Sequence, residues 1–245
     1  MKQGIFTIKQ NKQLTDTVYR MVLSGDTTDI TAPGQFVNIK LDGLYLRRPI
    51  SVCDCVDGEL TLVYKVVGKG TEQMSRMTAG ECLDVLTGLG NGYDMTDVKT
   101  HALLLGGGVG VPPLYMLAKE LIQQGKTVSV VLGFNTQSEV FYEQEFTALG
   151  ANVTVTTVDG SYGVKGFVTD VISDMPYDTF FTCGPEPMLK AVYKATATSG
   201  QFSFEERMGC GFGACMGCSC KTITGYKRIC KEGPVLRKEE ILWDV

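Results

Sequence analysis

Residues 205–230 of this chain read EERMGCGFGACMGCSCKTITGYKRIC, and five of the nine cysteines fall inside that stretch. Cys210, Cys215 and Cys218 stand as C-x4-C-x2-C, and Cys230 follows after eleven intervening residues. Four thiolates can hold a [2Fe–2S] cluster, and this is the spacing of plant-type sites of that kind. Gly209, Gly211, Gly213 and Gly217 surround the first three cysteines. They let a loop wrap tightly and turn backbone N–H groups toward the cluster sulfurs, using backbone angles that side chains forbid.

A structural zinc site and a disulfide framework are the alternatives. Zinc ligands usually come as two short-spaced knuckles, often with histidine. Here the only histidine is His101, far upstream, and the second knuckle is missing. Disulfide frameworks belong to secreted chains, and the opening MKQGIFTIKQ reads as a strand rather than a signal peptide. Cys220 lies two residues from Cys218, too close to complete the square, so Cys230 is the better fourth ligand.

At 245 residues the chain exceeds a typical single domain, and two or three units are expected. Hydrophobic residues make up 44%, enough for real cores. The net charge of −4 argues against a nucleic-acid partner. No apolar run approaches the roughly 18 residues needed to span a bilayer. The expectation is a cytoplasmic protein with reduced cysteines.

Up to about Asp97 the pattern is strand-like and punctuated: IFTIKQ, TVYRMVL, GQFVNIKL, RRPISVCDC, GELTLVYKVV and ECLDVLTGLG, separated by Gly, Asp and Pro. That spacing indicates an all-β sandwich or barrel, with one helical stretch at GTEQMSRM. Arg48-Pro49-Ile50-Ser51 places a guanidinium and a hydroxyl along one strand, able to meet a pyrophosphate and a ring edge. In Gly68-Lys69-Gly70-Thr71, small residues precede the helix and permit close backbone approach to a phosphate. An arginine pair on a solvated edge and an ordinary turn explain the same residues equally well.

Near Thr100 the period changes to alternating strands and helices, which indicates a parallel doubly wound sheet. HALLLGGGVGVPPLYMLAKELIQQG is a strand, a glycine turn and a helix opening at two prolines. TVSVVLGF, NVTVTTV and DTFFTCG are further strands, and EQEFTAL, KGFVTDVI and PMLKAVYKATA are helices. Gly106, Gly107, Gly108 and Gly110 sit at the carboxyl end of the first strand, where such sheets bind ligands. Cys183-Gly184-Pro185 ends a later strand at the same edge. Asp159 ends the third strand, where an acid can accept from a ribose 2′-OH and repel a 2′-phosphate, favouring NAD over NADP. Lys165 lies close by in sequence and weakens that inference.

The order R-P-I-S, G-x-G-T, GGGVGVPP, CGPEPM resembles the ferredoxin–NADP reductase superfamily over residues 1 to about 200. With EERMGCGFGACMGCSCK the whole chain looks like the electron-transfer subunits of class 1B dihydroorotate dehydrogenases. The resemblance implies an α+β multidomain fold: an FAD-binding antiparallel β-barrel over 1–98, an NAD-binding α/β domain over 99–200, and a small [2Fe–2S] domain over 201–245. It implies that Arg48 meets the FAD pyrophosphate and Ser51 the flavin ring. Pro49, Ile50, Lys65, Val66 and Val67 would stand beside them, with Gly70 and Thr71 at the phosphates. The glycines 106–110 and Cys183-Gly184-Pro185 would face NAD, and Cys210, Cys215, Cys218 and Cys230 would hold the cluster. Electrons would pass between NAD(H), FAD and the cluster, to or from the FMN of a dihydroorotate dehydrogenase catalytic subunit in a heterotetramer. No residue of the chain is assigned a catalytic role of its own. Competing readings are a flavin subunit of another complex, such as a ferredoxin:NADP oxidoreductase or sulfide dehydrogenase, and a zinc-stabilised nucleotide-binding regulator without redox activity.

Overall fold

In the computed structural model, which describes residues 1–243, the punctuated strands close into a six-stranded antiparallel barrel. They are β1 (Lys2–Gln13), β2 (Val18–Ser24), β3 (Phe36–Lys40), β4 (Arg48–Val56), β5 (Glu59–Lys65) and β6 (Cys82–Leu89), with helix α1 (Lys69–Ser75) before the last. Around the barrel the order is β1-β2-β5-β4-β3-β6. Period-two alternation drives the closure. Phe6 and Ile8, Met21 and Leu23, Val37 and Ile39, Leu60 and Leu62, and Leu83 and Val85 are buried together inside. On β3 this sends Phe36 and Asn38 to the outer face, although both are buried there too.

From His101 the chain winds a parallel sheet from β7 (His101–Gly107), β8 (Thr127–Phe134), β9 (Asn152–Thr157), β10 (Val164–Lys165), β11 (Thr179–Cys183) and β12 (Gly200–Ser203). Helices α2 (Pro113–Gln123), α3 (Glu143–Leu149) and α4 (Glu186–Ala195) cover it. The order β10-β9-β8-β7-β11-β12 reverses at β7, which places a crevice beyond the carboxyl ends of β7 and β11. The central strands β7 and β8 are largely apolar because both faces are covered, whereas β9 and β12 carry buried threonine, glutamine and serine. Leu104, Val130 and Leu132 pack with α2 and α3, whereas Leu103, Leu105 and Val131 pack with α4.

The tail forms a hairpin, β13 (Ser219–Thr222) with β14 (Gly225–Arg228), and then β15 (Val235–Arg237). β15 pairs antiparallel with β12 and becomes the seventh strand of the sheet. The cysteine loop is thus closed at its base by the nucleotide sheet, where the Phe204 N–H also donates to the Pro234 carbonyl at 2.8 Å.

Barrel and sheet are joined at a second place. Lys119 of α2 holds both carboxylate oxygens of Asp54 on β4 at 3.0 Å. Beside it the Cys53 thiol, pushed up to about 12 by burial, lies 3.3 Å from the Tyr142 hydroxyl. The stretch KGFVTDVI, expected as a helix, supplies only a 3-10 turn at Val168–Val171. Its β-branched residues resist helix, and Gly166 at φ 131° breaks the chain just before. Among the described residues no helix is long and apolar enough to cross a membrane.

Candidate cofactor cleft and cluster loop

A cavity of about 840 Å3 opens between barrel and sheet. From the barrel it is lined by Arg48, Pro49, Ile50, Ser51, Lys65, Val67 and Thr71. From the sheet come Gly107, Gly108, Gly110, Cys183, Gly184 and Pro185. Residues separated by more than a hundred positions therefore face one space, because β4 and the carboxyl ends of β7 and β11 meet there.

Four expected residues lie off this cavity. Val66 donates its N–H to the Thr17 carbonyl and continues the barrel wall. Gly70 sits beneath Arg48: a Cβ at that position would stand 2.2 Å from the Arg48 Nε. The missing side chain makes room for the guanidinium. Gly106 is packed under Val111, 2.9 Å from where its Cβ would be. Asp159 is exposed, and its carboxylate accepts from the Ser161 N–H at 2.9 Å and hydroxyl at 2.6 Å. Those bonds hold it below the usual carboxylate range and tie it to its own turn.

Of the acids that line the cavity, Glu139 stands at the β8 edge, held by the Asn135 N–H at 3.2 Å and side-chain amide at 2.9 Å. Asn135 follows β8 at the carboxyl edge of the sheet, a position that the strand-end rule points to. Sequence reasoning also missed Phe36, Met188, Ser203, Phe204, Glu205 and Glu206, which complete the wall. The Thr71 hydroxyl accepts from the Val67 N–H at 2.9 Å and donates to the Gly68 carbonyl at 3.1 Å, so it fixes the turn before α1. Cys183 has its thiol pushed up to about 12 by burial and stays neutral at physiological pH. His101 is packed against the Ser129 hydroxyl at 2.9 Å, remote from the cavity.

The cysteine loop packs beside this cavity. Cys218 and Cys230 share a core with Phe36, which also lines the cleft. Backbone N–H groups converge on the sulfurs: Ala214 on the Cys210 Sγ at 3.2 Å, Gly217 on the Cys215 Sγ at 3.5 Å, and Cys230 on the Cys218 Sγ at 3.4 Å. The Cys210 and Cys215 N–H groups each reach the other's sulfur, at 3.5 and 3.4 Å. These contacts set Cys210 beside Cys215 and Cys218 beside Cys230. Burial pushes the Cys210 thiol up, but the N–H groups of Phe212, Cys215 and Ala214 outweigh it and bring it down to about 6. Cys230 moves the other way, to about 12, through burial and the nearby Cys218 and Cys210 sulfurs. Such crowded thiols suit a cationic centre, which offsets their mutual repulsion. A Cβ at Gly209 would crowd the Cys215 sulfur at 3.3 Å, and four thiols lined with backbone N–H groups are a donor set that suits an iron–sulfur group. Cys220 lies on β13, outside these pairs.

Fold and site together define an oxidoreductase of the ferredoxin–NADP reductase type that carries an iron–sulfur module. The ferredoxin NADP+ reductase of Neisseria gonorrhoeae, with bound FAD and NADP, matches at TM-score 0.70 over 80% of this chain and 90% of that one, at 16% identity, a likeness of fold alone. The structure of an NADH-dependent reduced ferredoxin-NADP oxidoreductase matches at TM-score 0.89 and 31% identity, over 98% of this chain and 90% of that one. Residues 104–194 match the oxidoreductase NAD-binding domain, and residues 205–242 match the iron–sulfur cluster binding domain of dihydroorotate dehydrogenase B. Electron transfer subunits of dihydroorotate dehydrogenase B (NAD(+)) are 45% identical in Geobacillus sp. (strain WCH70), over 99% of both chains, and 43% identical in Fusobacterium nucleatum, over 98% and 99%. The chain belongs to that family of electron transfer subunits. It is an oxidoreductase subunit that uses FAD, NAD and an iron–sulfur cluster.

Proposed function

We propose that the chain carries electrons between NAD(H) in the cleft and the FMN of a dihydroorotate dehydrogenase catalytic subunit, in a cytoplasmic heterotetramer. Its three units would be 1–98 for FAD, 99–200 for NAD and 201–245 for the cluster. The observation that supports this best is the shared position of Phe36, which lines the cleft and packs on the cysteine loop. Met208 and Pro234, from the segment that carries the cysteines, also line the cleft.

FAD, when bound, would supply two-electron hydride acceptance and one-electron release, the latter matching what an iron–sulfur cluster can take. The protein's residues do the placing. Arg48 presents a guanidinium to the pyrophosphate, and Ser51 offers a hydroxyl to the ring edge. Cys210, Cys215, Cys218 and Cys230 would ligate the irons. The glycines 107, 108 and 110 and the Cys183-Gly184-Pro185 loop let the nicotinamide nucleotide approach the backbone closely. Glu139, rather than Asp159, is placed to repel a 2′-phosphate and so to favour NAD. Gly107 and Gly184 also make room for Met188, whose sulfur would lie 2.4 and 2.8 Å from a Cβ on either.

The test is to assay the FAD- and cluster-loaded chain with dihydroorotate and NAD, alone and then with the FMN-containing subunit. Turnover is expected only in the second mixture. Robust dihydroorotate oxidation by this chain alone would overturn the reading.

A further inference from the structure

Asn38 is 1% exposed on a strand whose other core residues, Phe36, Val37 and Ile39, are apolar. Its side-chain carbonyl Oδ1 is buried without a hydrogen-bond partner among the described residues. A buried amide left half-satisfied destabilises a fold, so an apolar residue of the same shape would be the better choice for packing alone. The other half of the amide is engaged: Nδ2 donates to the carbonyl of Cys210 at 3.3 Å. Gly211 follows at φ 75°, and a Cβ there would lie 2.2 Å from the same Nδ2. The cysteine loop is therefore shaped to receive this side chain.

The strand beneath is clamped at the same residue. Arg47 Nη1 donates to the Asn38 backbone carbonyl at 3.2 Å and to the Asp84 carbonyl at 3.1 Å, while its Nη2 holds the Asp84 carboxylate at 2.9 Å. Across the ladder Asn38 pairs with Pro49 and Phe36 with Ser51, both on the strand that lines the cleft. One side chain thus connects the Cys210–Gly211 peptide to the cleft wall by a single hydrogen bond and a fixed strand.

We propose that Asn38 is a positioning residue for electron transfer: it fixes the Cys210–Gly211 peptide against the barrel and thereby sets the cluster's reduction potential and its distance from the cleft. This rests on the reading of Cys210 as a cluster ligand. Hydrogen bonds and dipoles near the sulfurs stabilise the more negative, reduced cluster, so a loosened peptide lowers the potential.

The experiment uses the FAD- and cluster-loaded protein with Asn38→Leu, which keeps the number and branching of side-chain heavy atoms and removes the donor. The readouts are the electron paramagnetic resonance spectrum of the reduced cluster and its potential by redox titration, with FAD content as the check on folding. The expected result is a changed spectrum, a lower potential and a flavin-to-cluster step slowed roughly ten- to a hundredfold, the usual scale for an outer-shell partner. If the leucine variant fails to hold FAD, Asn38→Asp, which keeps the shape and lacks the donor, is expected to show the same changed spectrum. A native spectrum and potential in a folded Asn38 variant, with the cluster lost in Cys210→Ser, overturns the role of Asn38 alone. A native cluster in Cys210→Ser overturns the ligand set on which the proposal stands.

Discussion

Gly110 is where the two loops of the nucleotide cleft press hardest on each other, and Gly110→Ala isolates that contact. A Cβ at this position would stand 2.3 Å from the Cys183 carbonyl oxygen, 2.4 Å from its carbon and 2.6 Å from the Gly184 nitrogen. All three are backbone atoms, so no side chain can swing away, and the loops must part by about 1 Å to restore ordinary contact. Gly110 is not among the residues at positive φ, so crowding is the whole effect. Overpacking of this kind costs about 1–3 kcal/mol of stability. A shift of about 1 Å between the groups that orient a reaction costs on the order of a hundredfold in rate. Steady-state reduction of a small dye by NADH measures it: kcat/KM for NADH should fall about a hundredfold while flavin and cluster absorbance remain. The control is Gly125→Ala, at φ 76° with nothing within 4 Å, which should carry only the left-handed strain of about 1–2 kcal/mol. NADH kinetics in Gly110→Ala that match those of Gly125→Ala would refute the argument.

Cys215→Ser should abolish or badly weaken cluster assembly, because an alcohol is a harder and far less acidic ligand. FAD binding and dye reduction by NADH should survive, and delivery to the catalytic subunit should stop. Glu139→Gln should narrow the preference for NADH over NADPH by roughly tenfold, whereas Asp159→Asn, off the cavity, should leave it unchanged; paired kcat/KM values decide. Glu232 is held near 2, chiefly by the Arg228 hydrogen bonds, and Arg228 also holds the Gly213 carbonyl of the cysteine loop. Its folded value lies below the usual 4.5, so the clasp stabilises the loop above pH 4.5 and is lost as pH falls toward 2. The difference in melting temperature between the native protein and Glu232→Gln should therefore shrink across that window, and a constant difference would exclude the clasp.

The barrel and the doubly wound sheet follow from periodicity that the chain displays openly, alternation up to β6 and buried runs with helical crossovers after it. The candidate cluster ligands stand out because a cluster dictates the spacing of the cysteines that would hold it. Other features depend on contacts that no local pattern encodes. β12 and β15 have only four and three residues, too few to show a period, so the return of the tail to the sheet was invisible. Asn38 sits in GQFVNIKL as a polar interruption of a strand, and only the loop packed over it gives the residue a meaning. Asp159 was the reasonable acid by strand order, yet its own turn uses it, and the cavity takes Glu139 from the neighbouring connection. Gly70 shows a subtler limit: the glycine was expected to admit a phosphate, and the neighbour it admits is an arginine of the same protein.

The closure of the cysteine loop by β15 bears on how far damage at the cluster can spread. The segment that carries the candidate ligands leaves the sheet after β12 and returns to its edge as β15, so both ends are anchored by strand pairing. A small zinc finger has no such tether and is unfolded without its metal. β15 also covers a sheet edge that would otherwise invite aggregation. The base of the loop thus draws on backbone bonds that involve none of the four cysteines. That redundancy gives a fault in the loop a barrier to cross before it reaches the nucleotide sheet.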